Sequence, residues 1–546
     1  MPKSPSLDGG VAPHHTHEVN ESDSTNGEIH PDLHANDTDS ATGAIRIHSG
    51  SREEEVDEIL ERIEEERAEL TDSEGEDEFI KKYGDIQFQY IKRPREAVWF
   101  IRPHALNYFK DGVLYRTKGE RASAKTELFL DLMYVGIIAN LAGEASEHAS
   151  GLALLKYALF FIPAWTVWAD IKDFTNYYYN EDLSQKIYIF WILALLTLYV
   201  NSHADTLDGV GNAAMTIVPY MLCRLSLAVS LIIYSFYIPQ HRPQMRLYAG
   251  FIFFTCCLWI PVIFISTRAK IGLSIFVMVL ENILFVIAYH PTTKKLMKLR
   301  MSTALNIEHE VERFSTFVTI AIGEFLYKTV ASGPLGAGFS DKFARGIFLI
   351  IIAYVLFWIY NNGSTSKRAT HALRRSGVTA CLWIYAHLPL VASLVLAADA
   401  GGEITALDIT SLKKPHHESE AGESEAGAGA EVAHHLVKFL IKRASEAEAE
   451  EPNMYALSFF FTGSLCVALI MLAILGLLDD PKDEQGVFII PRFWRVIMRV
   501  PIGIIILCLS FAELNSTLLM GITSALLCVL LVFESVTSTP KSCLVR

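Results

Sequence analysis

Apolar stretches long enough to form membrane-crossing helices recur along the chain from residue 127 to residue 534. A helix of roughly 20 apolar residues crosses the hydrocarbon core of a bilayer, whereas a membrane barrel shows alternating segments of about ten residues. The pattern therefore predicts an all-α protein, a polytopic membrane helix bundle of about twelve transmembrane helices. The predicted spans are residues 127–144, 152–170, 187–201, 213–238, 247–266, 272–289, 311–331, 346–361, 377–398, 455–478, 494–512 and 516–534.

The chain outside these spans is polar, and this sets the predicted domains. Residues 1–95 are rich in Ser, Asp, Glu, His and Gly, so we expect a disordered acidic tail with a short helix at 53–70, either solvated or partner-binding. No basic region precedes an apolar core, so no cleavable signal peptide is expected. The other predicted regions are a juxtamembrane segment (96–126), a main bundle of about nine helices (127–398), an acidic extramembrane loop (399–454), a three-helix membrane segment (455–534) and a cytosolic tail (535–546).

Charge gives the predicted helices an orientation. The formal net charge of −14 comes largely from the tail and the acidic loop, and no segment is basic enough to suggest nucleic acid. Lys and Arg in short connections are retained in the cytosol, which predicts that both termini are cytosolic, in the plasma membrane or an internal membrane. The connections predicted to be cytosolic hold Lys172, Lys186, Arg242, Arg246, Lys294, Lys295, Lys298, Arg300, Lys367, Arg368, Arg374, Arg375, Lys482, Arg492 and Arg495, and the short outer ones hold Arg268, Lys270, Lys342 and Arg345.

One of these connections suggests a lipid partner beyond the surrounding bilayer. Lys294, Lys295, Lys298 and Arg300 would each gain about 1 kcal/mol near anionic headgroups, or they serve only as the topology signal. The acidic loop holds two pairs of adjacent histidines without the close ligand spacing of a dedicated metal site, so a solvated loop is favoured over weak metal binding. We expect no metal and no cofactor.

Charged side chains inside or at the edge of the spans are the candidate functional residues. A charge in hydrocarbon costs at least about 2.5–3.5 kcal/mol, so each must be paired, hydrated or neutral. In the first span Glu127 and Asp131 are four residues apart and share a helix face. Glu127 is either a helix-start residue or part of a site, whereas Asp131 lies a turn deeper and needs a partner.

The seventh span has a polar side of its own. At 100° per residue, His309, Arg313 and Glu324 fall on one face, and Glu312 belongs to an adjacent polar stripe. Glu324 is expected beyond the middle of the bilayer, where an unpaired carboxylate would be protonated or hydrated.

Two further polar residues lie deep in other spans. Arg224 is near the centre of the fourth span and needs an acidic partner, for which Glu281, Asp131 and Glu324 are candidates. His387 precedes Pro389 by two residues and is favoured as a packing residue over a proton carrier.

The segments RASAKTELFLDLMYV and HEVERFSTFVTIAIGE carry a family resemblance. They resemble the low temperature requirement protein A (LtrA) family, with its ELFFDLVFV-type run and its HxxERFxxxxIxxLGE-type run. Leu130 replaces the usual Phe, Ile322 replaces Leu, and the second motif has one extra residue in its spacer. The resemblance covers residues 117–400 well and 455–534 loosely. It implies a multi-pass membrane protein and supplies no substrate.

These observations favour a transporter or channel for an ion or small polar solute, with Asp131, Glu324, Arg224 and His387 lining the pathway. The alternative is a non-transporting scaffold or stress-response sensor whose buried charges only fix helix packing. An enzyme is not expected, because no serine or cysteine nucleophile with a matching base and no HExxH motif is seen.

Overall fold

Twelve long helices account for most of the chain that the computed structural model describes, namely residues 88–91, 99–111, 113–117, 123–207, 209–331, 335, 338–362, 369–407, 454–482, 486–512 and 514–541. The predicted helix at 53–70 and most of the predicted acidic loop lie outside these residues. The helices are Lys125–Glu147 (α1), Gly151–Tyr178 (α2), Leu183–Asn201 (α3), Val210–Tyr237 (α4), Arg242–Phe264 (α5), Thr267–Tyr289 (α6), Ile307–Ala331 (α7), Asp341–Asn361 (α8), Gly377–Ala406 (α9), Met454–Leu478 (α10), Arg492–Ala512 (α11) and Ser516–Thr537 (α12).

The prediction of an all-α polytopic membrane bundle is confirmed. Eleven of the described helices are long and apolar enough to cross a membrane. The remaining long helix, α7, is more polar, and it buries His309, Glu310 and Arg313 inside the bundle. These three side chains therefore face other helices rather than lipid, as the cost of a charge in hydrocarbon requires.

Several helices extend beyond their predicted spans, among them α7 and α9. Helix α7 begins at Ile307 rather than at residue 311, and α9 continues to Ala406 although the acidic loop was predicted to start at residue 399. Asp399 is therefore a buried helical residue and not a loop residue. An apolar run marks only the part of a helix that lies in hydrocarbon, so the polar turns at its ends escape detection.

A small four-stranded sheet was not predicted. Its strands are Phe88–Ile91 (β1), Asn107–Lys110 (β2), Val113–Thr117 (β3) and Met301–Thr303 (β4), in the order β1-β3-β2-β4, with β1 parallel to β3 and the other pairs antiparallel. Strand β1 lies in the stretch 1–95, for which the sequence predicts a disordered tail. Because β4 directly precedes α7, the sheet lies at the end of the bundle where α1 and α7 begin. We call this end the entry side and the opposite end the exit side.

Close packing at the exit end of α9 depends on two glycines. A Cβ atom on Gly401 would lie 2.7 Å from Leu349 Cδ1, and one on Gly402 would lie 2.7 Å from Lys328 Cβ. Both distances are shorter than real Cβ contacts allow. Small residues of this kind let membrane helices approach one another closely.

We expect Gly402→Ala to lower the unfolding temperature of the purified protein, because the new methyl group must displace Lys328 in α7. The matched control is Gly272→Ala in α6, where nothing lies within 4 Å of the added carbon. That control should be neutral or stabilising, because Ala is favoured over Gly in a helix by roughly 0.5–1 kcal/mol. Equal unfolding temperatures for the two variants would contradict this view of the α7–α9 contact.

His241, between α4 and α5, is a buried titratable group on the entry side. Its Nδ1 lies 3.1 Å from the hydroxyl of Tyr178. Burial lowers the pKa of His241 from 6.5 to about 3, the backbone of Asn107 acts in the opposite direction, and the charge of Lys294 lowers it further. The imidazole is therefore neutral in the folded protein near neutral pH.

Because the unfolded chain binds a proton on His241 near pH 6.5 and the folded protein only near pH 3, folding stability should fall as the pH drops below about 6.5. We expect the unfolding temperature of the wild type to fall more between pH 7 and pH 5 than that of His241→Asn. Thermal unfolding in detergent at both pH values measures the difference. The same decrease in both proteins would rule out His241 as its source.

Candidate functional site

Helices α1 and α7 lie side by side and are joined near the entry side by two pairs of charged residues. His309 Nε2 lies 3.1 Å from Glu127 Oε2, and Arg313 Nη2 donates to Asp131 Oδ1 at 2.8 Å. We call these the first and second rungs. Both pairs are separated by 182 residues along the chain, so the two helices run parallel and in register. All four side chains are fully buried.

The first rung is surrounded by further hydrogen-bonding groups. Asn306 N donates to Asn176 Oδ1 at 2.9 Å, which turns the amide nitrogen of Asn176 toward His309 Nδ1 at 3.3 Å. Asn176 Nδ2 also donates to the carbonyl of Asn306 at 3.0 Å, which connects the first rung to the residue before α7. Glu127 also accepts from the backbone N–H of Ala124 at 3.0 Å. It is thus both a helix-start residue and a partner in the rung.

The second rung is a dry ion pair. Asp131 Oδ1 accepts from Trp168 Nε1 at 2.9 Å as well as from Arg313. Among the described residues, Asp131 Oδ2 and the Nε and Nη1 atoms of Arg313 have no hydrogen-bond partner. The pair is therefore bound by charge more than by a saturated set of hydrogen bonds, and removing either partner would leave a buried charge uncompensated.

A second cluster of charged side chains, which was not predicted from the sequence, lies beside the first rung. Lys172 of α2 forms an ion pair with Glu310 of α7 and lies 2.8 Å from Asp173 Oδ1. Glu310 accepts from Asn176 Nδ2 at 3.2 Å, which links the cluster to His309. Lys172 was assigned to a cytosolic connection, but α2 continues past it and buries it. Glu310 lies one residue before the predicted span, so it was not considered.

Arg224 pairs with a residue that was not among its predicted partners. Its Nη1 contacts Asp170 Oδ2 in α2, and its Nε lies 3.7 Å from Glu281 Oε1 in α6. Of the three candidates, Glu281 is thus a neighbour, whereas Asp131 pairs with Arg313 and Glu324 lies elsewhere. Asp170 is the last residue of the predicted second span. Because it lies at the end of that span, it was not considered as a partner for Arg224.

Hydroxyl and indole groups complete the shell around Arg224. Tyr248 donates to Asp170 Oδ1 at 2.6 Å. Tyr220 donates to Glu281 Oε2 at 2.6 Å, and Trp259 Nε1 donates to Glu281 Oε1 at 3.2 Å. Four helices, α2, α4, α5 and α6, meet at this closed cluster.

Aromatic rings fill the space beyond the second rung. The rings of Trp168 and Phe317 stack with their centroids 4.2 Å apart, and Tyr134 lies 5.9 Å from Phe317. Trp165 and Phe314 extend the same buried cluster. The interior between α1, α2 and α7 is therefore apolar directly after the ion pairs.

An open cavity of about 750 Å³ lies between α1 and α7 toward the exit side. Small residues of α1, among them Gly136 and Gly143, form one wall, and Glu324 and Lys328 of α7 line it from the other side. Lys328 forms an ion pair with Asp399 of α9, which is buried. Glu324 thus borders the cavity.

Two predicted site residues lie outside the ion pairs, although the ring of His387 packs against that of Phe314 in the aromatic cluster, with centroids 4.4 Å apart. His387 Nδ1 donates to the carbonyl of Trp383 at 2.7 Å, and its Nε2 accepts from the hydroxyl of Tyr360 at 3.2 Å, so both ring nitrogens are engaged. Glu312 is exposed on the entry side, where it accepts from the backbone N–H of Ser123 at 3.2 Å. Neither residue lines a common pathway with Asp131.

The basic connection before α7 divides into two parts. Lys294 donates to the carbonyl of Thr303 at 2.9 Å, and burial lowers its pKa to about 8. Lys295, Lys298 and Arg300 are exposed. Among the described residues, no group of three or more His, Cys, Asp or Glu side chains could hold a metal ion.

Eleven apolar helices and a polar twelfth, with ion pairs enclosed between them, define a polytopic helical membrane protein. The chain belongs to the bacterial low temperature requirement A protein (LtrA) family, whose family model matches residues 122–533. Both helices that carry the two rungs fall in the matched region, and the family resemblance is confirmed. Neither the comparison with curated proteins nor that with solved structures gave a match.

We expect Asp131→Asn and Arg313→Met each to lower stability by about 3–5 kcal/mol, because each leaves a charge buried without its partner. The double variant should recover most of this loss. Thermal unfolding of the detergent-solubilised protein measures all three, with Glu312→Gln as the control for an exposed carboxylate. If the double variant unfolds at a temperature no higher than that of the less stable single variant, Asp131 and Arg313 do not stabilise the protein as a pair.

Proposed function

We propose that this protein is a transporter for an ion or small polar solute, in a conformation closed at the entry side and open at the exit side. The observation that carries the proposal is the contrast along one pair of helices. Between α1 and α7 there are two buried rungs at one end and an open polar cavity at the other. Alternating access needs such a pair of surfaces, closed on one side of a site and open on the other.

The rungs supply the closure in this proposal. To open the entry side between α1 and α7, Glu127 must leave His309 and Asp131 must leave Arg313. The separated groups become stable only when water reaches them, so opening and hydration occur together. The aromatic rings beyond the second rung keep that water out while the rungs are intact.

The predicted pathway residues take different roles here. Glu324 contacts the solute in the cavity, and Asp131 belongs to the entry-side closure. Arg224, bound to Asp170 and near Glu281, holds α2, α4, α5 and α6 together as one body. His387, hydrogen-bonded on both ring nitrogens, is a packing residue.

We also propose that the entry side and both termini are cytosolic. The exposed Lys295, Lys298 and Arg300 lie on this side, and exposed cations in short connections are retained in the cytosol. The same three side chains are available to anionic lipid headgroups, whereas Lys294 is largely engaged with Thr303. The membrane is the plasma membrane or an internal one.

A scaffold or stress-response sensor is the second candidate, and the closed cluster around Arg224 favours it. If all buried charges act as that cluster does, they fix helix packing and carry nothing. Exchanging the two charges of a true pair would then restore expression, and deleting residues 1–95 would abolish the scaffold or sensor activity while leaving the membrane helices intact.

Flux into proteoliposomes decides between the two candidates. We expect the wild type to move at least one member of a panel of protons, alkali cations, amines and amino acids. Glu324→Gln should reduce the rate at least about tenfold, since about 1.4 kcal/mol of lost interaction has that effect. Asp131→Asn should also reduce it by disturbing the closed state.

The control for the flux assay is Glu312→Gln, which removes an exposed carboxylate from α7 without touching the cavity or the rungs. It should transport at the wild-type rate. Folded wild-type protein that moves no member of the panel would exclude transport of these solutes and support the scaffold.

A further inference from the structure

We propose that the exit-side cavity binds solutes that carry an ammonium group. This inference rests on the proposed function, of which it names the substrate class. It starts from the charges that border the cavity. Glu144, Glu147 and Glu324 line it, and Lys328 is the one lysine or arginine among its described lining residues.

The charge of Lys328 is already compensated within the protein. Its Nζ forms an ion pair with Asp399, whose side chain is buried in α9. An anionic solute would have to compete with that buried carboxylate, whereas a cation finds Glu324 one helical turn away. Glu144 lies 2.5 Å from His203 Nε2. His148 also lines the cavity. With Lys328 compensated, the three lining glutamates outnumber the two histidines in or beside the lining, His148 and His203, so the excess charge is negative.

The ends of two helices increase the negative potential. Helix α1 ends at Glu147 and α9 ends shortly after Glu403, and neither has a basic residue in its last turn. The carboxyl end of a helix carries a partial negative charge, so acidic residues there are unfavourable for the protein alone. In transporters such helix ends face cations. Asp399 Oδ1 lies only 3.8 Å from the position of a Cβ on Gly143, which places α9 beside this wall.

The shape of the cavity favours an organic cation over a coordinated metal ion. The carboxylates are spread around a space of about 750 Å³, and the described residues contain no three-ligand group that could hold a metal. Gly136, Ala139 and Gly143 leave room along α1, and Asn140 offers an amide. Tyr327 contributes an aromatic ring, a surface that attracts alkylammonium groups.

Binding to the full-length protein in phosphatidylcholine nanodiscs tests the proposal. The probes are n-butylammonium and tetramethylammonium chloride, and the controls are n-butanol and sodium butyrate at equal ionic strength. We expect calorimetry to detect the two ammonium ions, and the unfolding temperature to rise with their concentration. Equal binding of butyrate, or no binding of either ammonium ion, would overturn the proposal.

Two variants locate the site. Glu324→Gln should weaken butylammonium binding at least about tenfold, while Glu312→Gln should leave the dissociation constant within about twofold of the wild type. Gly136→Leu changes no charge and places a larger side chain in the cavity, because nothing lies within 4 Å of the added carbon, and it should weaken binding even if Glu324→Gln fails to fold. Butylammonium binding that is unchanged in folded Gly136→Leu would overturn the placement of the site.

The binding and flux experiments fail in different ways. Binding of ammonium ions without any flux would support this site and contradict transport. Flux of neutral or anionic solutes alone would support transport and contradict the ammonium class.

Discussion

An ionised side chain is stable inside a lipid-embedded bundle only where another protein group or water compensates its charge. This constraint determines which helix faces meet in this protein. Glu127 and Asp131 lie one turn apart on α1, and His309 and Arg313 have the same spacing on α7. Only a parallel arrangement in register brings both pairs together. The charges thus define the contact between two helices that are separated by five others along the chain.

The same constraint separates the interior into parts with different properties. The cluster around Arg224 is enclosed and rich in hydroxyl and indole donors, although Arg224 Nε has no hydrogen-bond partner among the described residues, and it unites four helices. The rungs are enclosed but have polar atoms without hydrogen-bond partners among the described residues. Glu324 and Lys328 border open space. Protein groups compensate the first two sets of charges, and in the third set Asp399 compensates Lys328 while Glu324 faces the cavity.

Sequence reasoning identified the helices and many of the buried charges, but few of their pairings. Apolar runs mark membrane spans reliably because the hydrocarbon core has a fixed thickness. They end where polar turns begin, which is why Glu310, Lys172 and Asp399 were assigned to connections or overlooked. The partner of Arg224 depends on the rotation of α2 about its axis, and hydropathy does not report that rotation. The four-stranded sheet was not predicted, because strands of three to five residues are too short to show a clear alternating pattern.

The polarity of α7 also has a consequence for biogenesis. Helix α7 is too polar to partition into lipid as readily as the other long helices described here. The partners of its entry-side half, on α1 and α2, are synthesised and inserted before it. Asp399, the partner of Lys328 in its other half, emerges from the ribosome only later. Membrane integration of α7 therefore depends on the order in which its neighbouring helices are synthesised. A chain without α1 would lack the surface against which α7 packs.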